Sequence, residues 1–228
     1  MEASVTGGQR FGPTDIDDVL TTTRTVRRRL DLARPVERAV VERCIELALQ
    51  APNGSNQQTW RWILVDDPDV RRKLVDIYTG AMDDYINRHR DRPPPPRPAA
   101  APSPAQQRMT ESVFWLRQHF HEVPVLVVPT VVGRTDGKPI FDQASRWGSI
   151  IPAVWSFMLA LRSRGLGSAW TTLHLLRERE AAELLGVPYD RYMQAGLFPV
   201  AYTLGTDFKP ASRMPAADVI GWNAFPAV

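Results

Sequence analysis

One long apolar segment constrains the fold of this chain more than any other feature. Residues 141–165, FDQASRWGSIIPAVWSFMLALRSRG, place apolar side chains at the spacing of successive helical turns. This pattern predicts a helix with a broad apolar face. The face consists of Trp147, Ile151, Val154, Met158 and Leu161, with added bulk from Trp155 and Phe157. Pro152 is expected to kink this helix or to mark its start, and Gly165 is expected to end it.

Shorter helices and strands are intermixed along the rest of the chain. Apolar periodicity and capping residues predict helices after Asp15, over residues 35–50, over 67–90 and over 175–186. Apolar runs of strand length occupy residues 60–65, 123–133, 166–172 and 194–205. Pro129 lies inside the second run and requires a bulge or an edge position, because proline lacks a backbone donor. This order predicts an α+β fold.

Two stretches do not fit a packed core. Residues 1–14 are rich in Gly and polar side chains and are expected to form a flexible N-terminal tail. Residues 92–108, RPPPPRPAAAPSPAQQR, are expected to be extended and polyproline-like, since proline fixes φ and removes donors. This segment is either a linker or a mobile flap over a site. We favour the flap, so residues 15–228 are interpreted as one domain with a proline-rich insert.

Composition narrows the class of protein. Lys and Arg exceed Asp and Glu by only three, which does not favour binding to nucleic acid. The single cysteine, Cys44, rules out an internal disulfide framework. The N-terminus lacks the apolar core of a signal peptide, and no apolar run reaches membrane-spanning length. We therefore expect a cytoplasmic protein that binds neither nucleic acid nor a membrane.

A basic cluster suggests a phosphate site. Residues 23–29, TRTVRRR, follow the first predicted helix. Arg24, Thr25 and Arg27 can surround one phosphate, because arginine binds it through two donors and threonine adds a third. The alternative is a solvated basic surface. A second basic pair, Lys209 and Arg213, follows the last strand and is a weak signal alone.

An amide-rich loop suggests a second contact region. Residues 53–58 supply both hydrogen-bond donors and acceptors, which suits a heterocycle or a chain of hydroxyls. A helix C-cap and turn would explain Asn53 and Gly54 but would leave Asn56 and Gln58 unexplained. No cluster at metal-ligand spacing accompanies these groups, so no metal site is expected.

At these motifs the chain resembles the nitroreductase family of FMN-dependent oxidoreductases, in its actinobacterial form. Residues 23–30, TRTVRRRL, are similar to the family's Arg-Arg-Ser-x-Arg-like motif. Residues 51–60, APNGSNQQTW, are similar to its Ala-Pro-Ser-x-x-Asn-x-Gln-Pro-Trp loop. Residues 164–172, RGLGSAWTT, and residues 200–213, VAYTLGTDFKPASR, follow in the family's order.

The resemblance implies a fold and a cofactor. The fold would be a central mixed or antiparallel sheet flanked by helices, in an intertwined homodimer with FMN sites at the interface. The cofactor-binding set would be Arg24, Thr25, Arg27, Arg28, Pro52, Asn53, Gly54, Ser55, Asn56, Gln58, Thr171, Thr172, Leu173, Lys209 and Arg213. Arg28 would exchange with Arg27 on a slip of one residue. The C-terminal residues 219–228 would pack on the partner, and Trp147, Trp155 and Phe157 are candidates for either the interface or the core.

The resemblance also implies an activity. NAD(P)H would donate hydride to flavin N5, and a nitroaromatic, quinone or similar electrophilic small molecule would then collect the electrons, in a ping-pong sequence without a catalytic side chain. One alternative is the same fold with other chemistry, namely dehalogenation, azoline oxidation or flavin fragmentation. Another is a flavin-sequestering protein without turnover.

Overall fold

The computed structural model describes residues 15–90 and 103–226 of the 228-residue chain. Within these residues the helices are α1 Ile16–Thr22, α2 Arg38–Ala48, α3 Pro68–Arg90, α4 Pro104–His119, α5 Ile140–Arg162 and α6 Glu178–Leu185. The strands are β1 Trp60–Val65, β2 Val125–Val132, β3 Leu166–Ser168, β4 Tyr192–Gln194 and β5 Phe198–Tyr202. The expected tail, residues 1–14, lies outside the described residues.

Local signals place several of these elements where the sequence predicts them. Asp15 caps α1, and its carboxylate accepts hydrogen bonds from the backbone of Asp17 and Asp18. Gly186 ends α6 in the left-handed conformation, with φ of 66°. The long helix α5 runs through Pro152, so this proline does not mark the start of the helix.

The strands form one antiparallel sheet in the order β1-β2-β5-β3, and β4 also pairs with β2. Trp60 pairs with Val131 at one end of the β1–β2 ladder, and Val65 pairs with Leu126 at the other. Helices and strands are thus combined in an α+β fold with an antiparallel sheet, which confirms the predicted class.

Pro129 lies in the central strand β2, so of the two expected alternatives the edge position is wrong and the bulge is correct: between the pairs Val127–Phe198 and Thr130–Gln194, β2 has two residues and the neighbouring chain has three. Its carbonyl accepts a hydrogen bond from the backbone N–H of Ala195, at 2.8 Å. The nitrogen and oxygen of one residue face the same neighbour in a strand, so the missing donor also faces Ala195. Ala195 lies between β4 and β5, where the partner strand is interrupted. The proline therefore removes no bond from a continuous ladder.

Two apolar clusters flank the sheet. One combines α2 and α5 with β1 and β2, and the other combines α3 and α4 with the end of β2. Phe157 has no exposed surface and contacts Trp62, with ring centroids 5.4 Å apart. It is therefore a core residue, whereas Trp155 on the same helix remains partly exposed.

Part of the proline-rich segment is helical, so the expectation that all of it is extended is wrong. Residues 104–108 are not extended, because α4 begins at Pro104. Ser103 caps this helix in a capping box with Gln106, and proline is well tolerated at the first helical position. Residues 92–102 of the segment lie outside the described residues. No helix in the described part of the chain has the length and apolar character needed to cross a membrane.

Candidate functional site

The basic segment after α1 is held against the sheet by its backbone. The N–H of Val26 donates to the carbonyl of Ser168 at 2.8 Å, and the N–H of Asp31 donates to Tyr202 at 2.8 Å. Thr25 pairs with Ser168 in a parallel bridge. The segment therefore runs beside β3 and the end of β5, and its register fixes which arginines leave the sheet together.

The chain after β5 folds back along the same segment. The N–H of Leu204 donates to the carbonyl of Arg29 at 2.8 Å, and Arg29 forms an ion pair with Asp207. Further along, the Arg24 guanidinium donates to the carbonyl of Lys209 at 3.0 Å. These contacts bring two basic regions that are about 185 residues apart in sequence to one place.

Arg162 holds the segment after β5 in this position. It is only 5% exposed, and its Nη2 donates to the Thr206 carbonyl at 2.9 Å and to the Thr22 hydroxyl at 3.1 Å. Its guanidinium also lies 4.8 Å from the ring centroid of Phe208. Burial, followed by the nearby Arg29, lowers the pKa of Arg162 below its usual range. Arg162 therefore connects α1, α5 and the C-terminal segment.

The two basic regions share one cavity of about 610 Å³. Arg24, Thr25, Arg27 and Arg213 line it, and we call these four residues the arginine cradle. The cavity is also lined by Thr23, Ala105, Arg108, Met109, Ser112, Trp155 and Met158. None of these lining residues is acidic, so the cavity concentrates positive charge and suits an anion.

Arg27 and Arg28 take different directions. Arg27 lines the cavity and donates to the hydroxyl of Ser112 at 3.1 Å. Burial lowers the pKa of the half-buried Arg27, which nevertheless stays charged at neutral pH. Arg28 is not among the cavity residues and instead pairs with Glu111 on α4 at 3.3 Å. The register thus assigns the cavity position to Arg27.

The amide loop, residues 53–58, has an unusual backbone. Ser55, Asn56 and Gln58 have φ of 53°, 52° and 49°. Asparagine tolerates this left-handed region, but for other non-glycine residues it costs about 1–2 kcal/mol each. Strain of this kind is typical of functional loops, whose conformation the surrounding structure must impose.

Two hydrogen bonds impose that conformation. The N–H of Gly54 donates to the Ser149 hydroxyl at 3.0 Å, which ties the loop to α5. The N–H of Gln58 donates to the Asn53 side chain at 2.9 Å, which closes the loop on itself. The side chains of Asn56 and Gln58 remain exposed in the single chain. The two amides share one long hydrogen bond, from Gln58 Nε2 to Asn56 Oδ1 at 3.5 Å, and otherwise face outward.

The amide loop borders a second cavity of about 290 Å³. Asn53, Gly54 and Ser55 line it, together with Gln57, Thr59, Val131, Phe141, Asp142, Ser145, Arg146 and Ser149. On α5, Ser149 of this cavity and Trp155 of the first are separated by about 9 Å along the helix axis. Within one chain the loop and the cradle thus border different cavities.

The segment Thr171–Leu173 follows β3 and packs against the turn before β5. The Thr171 hydroxyl donates to the carbonyl of Leu197 at 2.6 Å, and their backbones form an antiparallel bridge. Thr172 is exposed and Leu173 partly buried. The next residue, His174, has no exposed surface, and burial lowers its pKa to about 4, partly offset by Gln194. His174 is therefore neutral at physiological pH.

The expected site residues fall into three groups. Arg24, Thr25, Arg27 and Arg213 meet in the cradle, and Lys209 contributes its carbonyl to Arg24. Asn53, Gly54 and Ser55 line the second cavity. Pro52, Asn56, Gln58, Thr171, Thr172, Leu173 and Arg28 are not among the residues lining either cavity.

The sequence interpretation missed the wall that α4 contributes to the cradle cavity. Arg108, Met109 and Ser112 lie on this wall. The pattern Ser103-Pro104-Ala105-Gln106 could have predicted the start of α4, because it combines an N-cap, a proline at the first helical position and a capping box. Proline-rich composition hid that signal.

Fold and site together define an α+β protein with a basic cavity, to which the segment after α1 and the segment after β5 both contribute arginines. Residues 20–202 match the Nitroreductase family, and the chain belongs to this family.

Three relatives illustrate the similarity. The chain is 26% identical to iodotyrosine deiodinase of Thermotoga neapolitana over 204 residues, which cover 89% of this chain and 94% of that protein. A crystal structure of iodotyrosine deiodinase bound to FMN and 3-iodo-L-tyrosine has a TM-score of 0.67 and 22% identity, covering 92% of this chain and 99% of that one. The FMN- and NADPH-dependent nitroreductase NfnB from sphigopyxis sp. strain HMH has a TM-score of 0.64 and 20% identity, covering 92% and 99%.

Proposed function

We propose that this protein is a homodimeric, FMN-dependent NAD(P)H oxidoreductase that reduces electrophilic small molecules such as nitroaromatics and quinones. The observation that carries the proposal is the cavity in which Arg24, Arg27 and Arg213 meet, whose described lining residues include no carboxylate. Family membership and the FMN named in the structures of two relatives support it.

The chemistry of the cradle fits the phosphate of FMN. A phosphate monoester carries a charge of about −1.5 to −2 at neutral pH and three strong acceptor oxygens. Arg24, Arg27 and Arg213 supply charged donors, and Thr25 supplies a hydroxyl. Arg162 and Arg29 hold the C-terminal segment in place, so the cradle is preorganised for the phosphate before it binds.

The remaining expected residues would contact the other parts of the cofactor. Bound FMN would supply hydride acceptance from NAD(P)H and electron transfer to the second substrate. Amides of Asn56 and Gln58 offer donors and acceptors to the ring or the ribityl chain. The segment Thr171–Leu173 would present backbone N–H groups to the ring. No catalytic side chain is assigned.

The loop and the cradle would meet across a dimer interface. The amide loop points outward and borders a different cavity from the cradle of its own chain. Between the two cavities, α5 exposes Ile151 and Trp155, one turn apart, as an apolar surface that suits a partner helix. At the C-terminus, Trp222 and Phe225 are 87% and 84% exposed, which is costly unless a second copy covers them. Residues 15–228 would thus form one domain whose site is completed in the dimer.

A binding experiment tests the proposal. Purified protein is expected to bind FMN, and FMN should raise its melting temperature. Arg24→Gln should weaken FMN affinity about tenfold, because it removes a charge-assisted hydrogen bond from a half-exposed site. Arg72→Gln on α3, whose arginine pairs with Asp69 on the surface, provides a control of equal charge change. A protein that neither binds FMN nor gains thermal stability from it would refute the proposal.

An assay of turnover distinguishes an oxidoreductase from a protein that only stores flavin. Mixing the FMN-loaded protein with NADPH in a stopped-flow instrument should bleach the flavin, and adding an acceptor should restore the colour. A protein that binds FMN but does not bleach with NADPH or NADH would instead be a flavin-sequestering protein.

Reductive dehalogenation is a second candidate, favoured by the similarity to iodotyrosine deiodinase. In that reaction a carbon–iodine bond is replaced by carbon–hydrogen, iodide leaves, and NAD(P)H supplies the two electrons. Iodide release from 3-iodo-L-tyrosine, compared with reduction of a nitroaromatic under the same conditions, distinguishes the two activities.

A further inference from the structure

Helix α4 presents one face to the cradle cavity. Ala105, Arg108, Met109 and Ser112 line the cavity and are spaced at i, i+3, i+4 and i+7, which is the spacing of a single helical face. Ser112 is already engaged, because its hydroxyl accepts a hydrogen bond from Arg27. Arg108 is exposed and has neither a hydrogen bond nor an ion pair with any described residue. Its charged group is therefore available on the cavity wall.

Two other arginines on or against α4 are paired with carboxylates. Arg28 pairs with Glu111 of α4, and Arg117 of α4 pairs with Asp83 at 2.8 Å. Arg108 lies on α4 too, but it faces a cavity with no acidic side chain among the described lining residues. A guanidinium held in such a cavity attracts an anion, because none of the described residues that line the cavity neutralises its charge.

The charges in the cavity indicate that the cofactor phosphate does not need Arg108. The cradle contributes three guanidiniums, which already exceed the charge of a phosphate monoester of about −2. Arg108 comes from helix α4, whereas the three cradle arginines lie on non-helical segments, and it adds a fourth guanidinium. Its neighbours in the cavity include the apolar side chains of Met109 and Trp155. A cation beside an apolar wall matches a flat, apolar molecule that carries an anionic group, and arginine binds a carboxylate through two parallel hydrogen bonds.

We propose that Arg108 binds the anionic group of the electron-accepting substrate and thereby selects aromatic carboxylates over neutral molecules of the same shape. This inference rests on the proposed FMN-dependent function and specifies the substrate class for that site. Arg108 is assigned as a specificity-determining residue, with no part in electron transfer itself.

The test compares 4-nitrobenzoate with its neutral isostere 4-nitrobenzamide. Calorimetric titration of the oxidised, FMN-loaded protein without NADPH measures binding, and steady-state assays with NADPH measure KM and kcat. Arg108→Gln is expected to raise both Kd and KM for nitrobenzoate about tenfold, while values for nitrobenzamide and kcat for both acceptors change less than about twofold. Arg108→Lys, which keeps the charge, should recover part of the nitrobenzoate affinity. Arg72→Gln should leave both acceptors unchanged.

The outcomes that overturn the assignment are distinct. If Arg108→Gln changes Kd and KM equally for both acceptors, or changes neither, Arg108 does not bind the anionic group. A tenfold loss of FMN affinity in Arg108→Gln would assign Arg108 to the phosphate instead, and an effect confined to the KM for NADPH would assign it to the dinucleotide. If the wild-type protein binds FMN and turns over but does not prefer nitrobenzoate, only this inference fails. Absence of FMN binding would refute the proposed function itself.

Discussion

The buried His174 should make the stability of this protein depend on pH in a calculable way. The side chain has no exposed surface, and burial, partly offset by Gln194, lowers its pKa to about 4. In the unfolded chain the pKa would be about 6.5. Between these two values the unfolded state binds more protons than the folded state, so the free energy of unfolding must fall as the pH falls.

The size of this effect follows from the two pKa values. Between pH 7.5 and pH 4.5 the proton taken up by His174 on unfolding should lower the free energy of unfolding by about 2.5 kcal/mol. Other groups titrate over the same range, so the effect is isolated by comparison with His174→Gln, which removes the titrating group and keeps a polar side chain. The assay is urea unfolding at both pH values for the wild type and the variant.

The pH-dependent loss should be about 2.5 kcal/mol smaller in His174→Gln than in the wild type, whatever the variant's absolute stability. His121→Gln, which also removes one histidine but at an exposed position, is the matched control. If the wild type and His174→Gln lose the same free energy between the two pH values, the burial argument for His174 is wrong.

Three further predictions concern strain, packing and reactivity. Gln58→Gly should raise the free energy of unfolding by about 1 kcal/mol, because glycine relieves the left-handed φ at this position. Gln57→Gly is the control: φ is −78° there, so glycine should lower the free energy of unfolding by about 1 kcal/mol. Equal effects of the two changes in urea unfolding would exclude strain at Gln58. Both Gly133 and Gly137 have positive φ, but only at Gly133 would an added methyl group overlap the Arg146 guanidinium. Gly133→Ala should therefore lower Tm more than Gly137→Ala in a calorimetric melt, and equal losses of Tm would contradict this. Cys44 is buried and its pKa is raised to about 11, so it should react with a thiol reagent only after unfolding, and rapid labelling of the native protein would refute its burial.

Local signals in the sequence were sufficient for part of the fold. Apolar periodicity located α5, the carboxylate of Asp15 located the start of α1, and Gly186 located the end of α6. Each of these features depends on residues within one or two turns of the helix, so neighbouring residues determine it. The α+β class followed from the order of such elements.

Features that depend on tertiary pairing were not readable from the sequence. The sequence left Pro129 open between an edge and a bulge, because the bulge between β4 and β5 that lies opposite it is a property of the assembled sheet. The choice between Arg27 and Arg28 was left open, because it depends on the pairing of Thr25 with Ser168. The left-handed backbone at Ser55 and Gln58 was also unforeseen, since neither residue type favours that conformation.

The motifs nevertheless identified much of the candidate site. The cluster of arginine and threonine residues after α1 and Arg213 after β5 line one cavity, although the sequence alone treated Arg213 as a weak signal. The wall supplied by α4 was missed because its first residues were interpreted as part of an extended proline-rich segment. That wall includes Arg108, on which the proposed substrate preference depends.

The central claim is that one subunit's cradle and the other subunit's amide loop hold a single FMN. It can be tested by complementation between two defective variants. The cradle variant Arg24→Gln/Arg213→Gln and the loop variant Asn56→Ala/Gln58→Ala should each bind FMN poorly as homodimers. When the two are co-expressed with different affinity tags and purified as a heterodimer, one site combines an intact cradle with an intact loop. We predict one tightly bound FMN per heterodimer, measured by titration, whereas a heterodimer that binds FMN as poorly as both parents would contradict the claim.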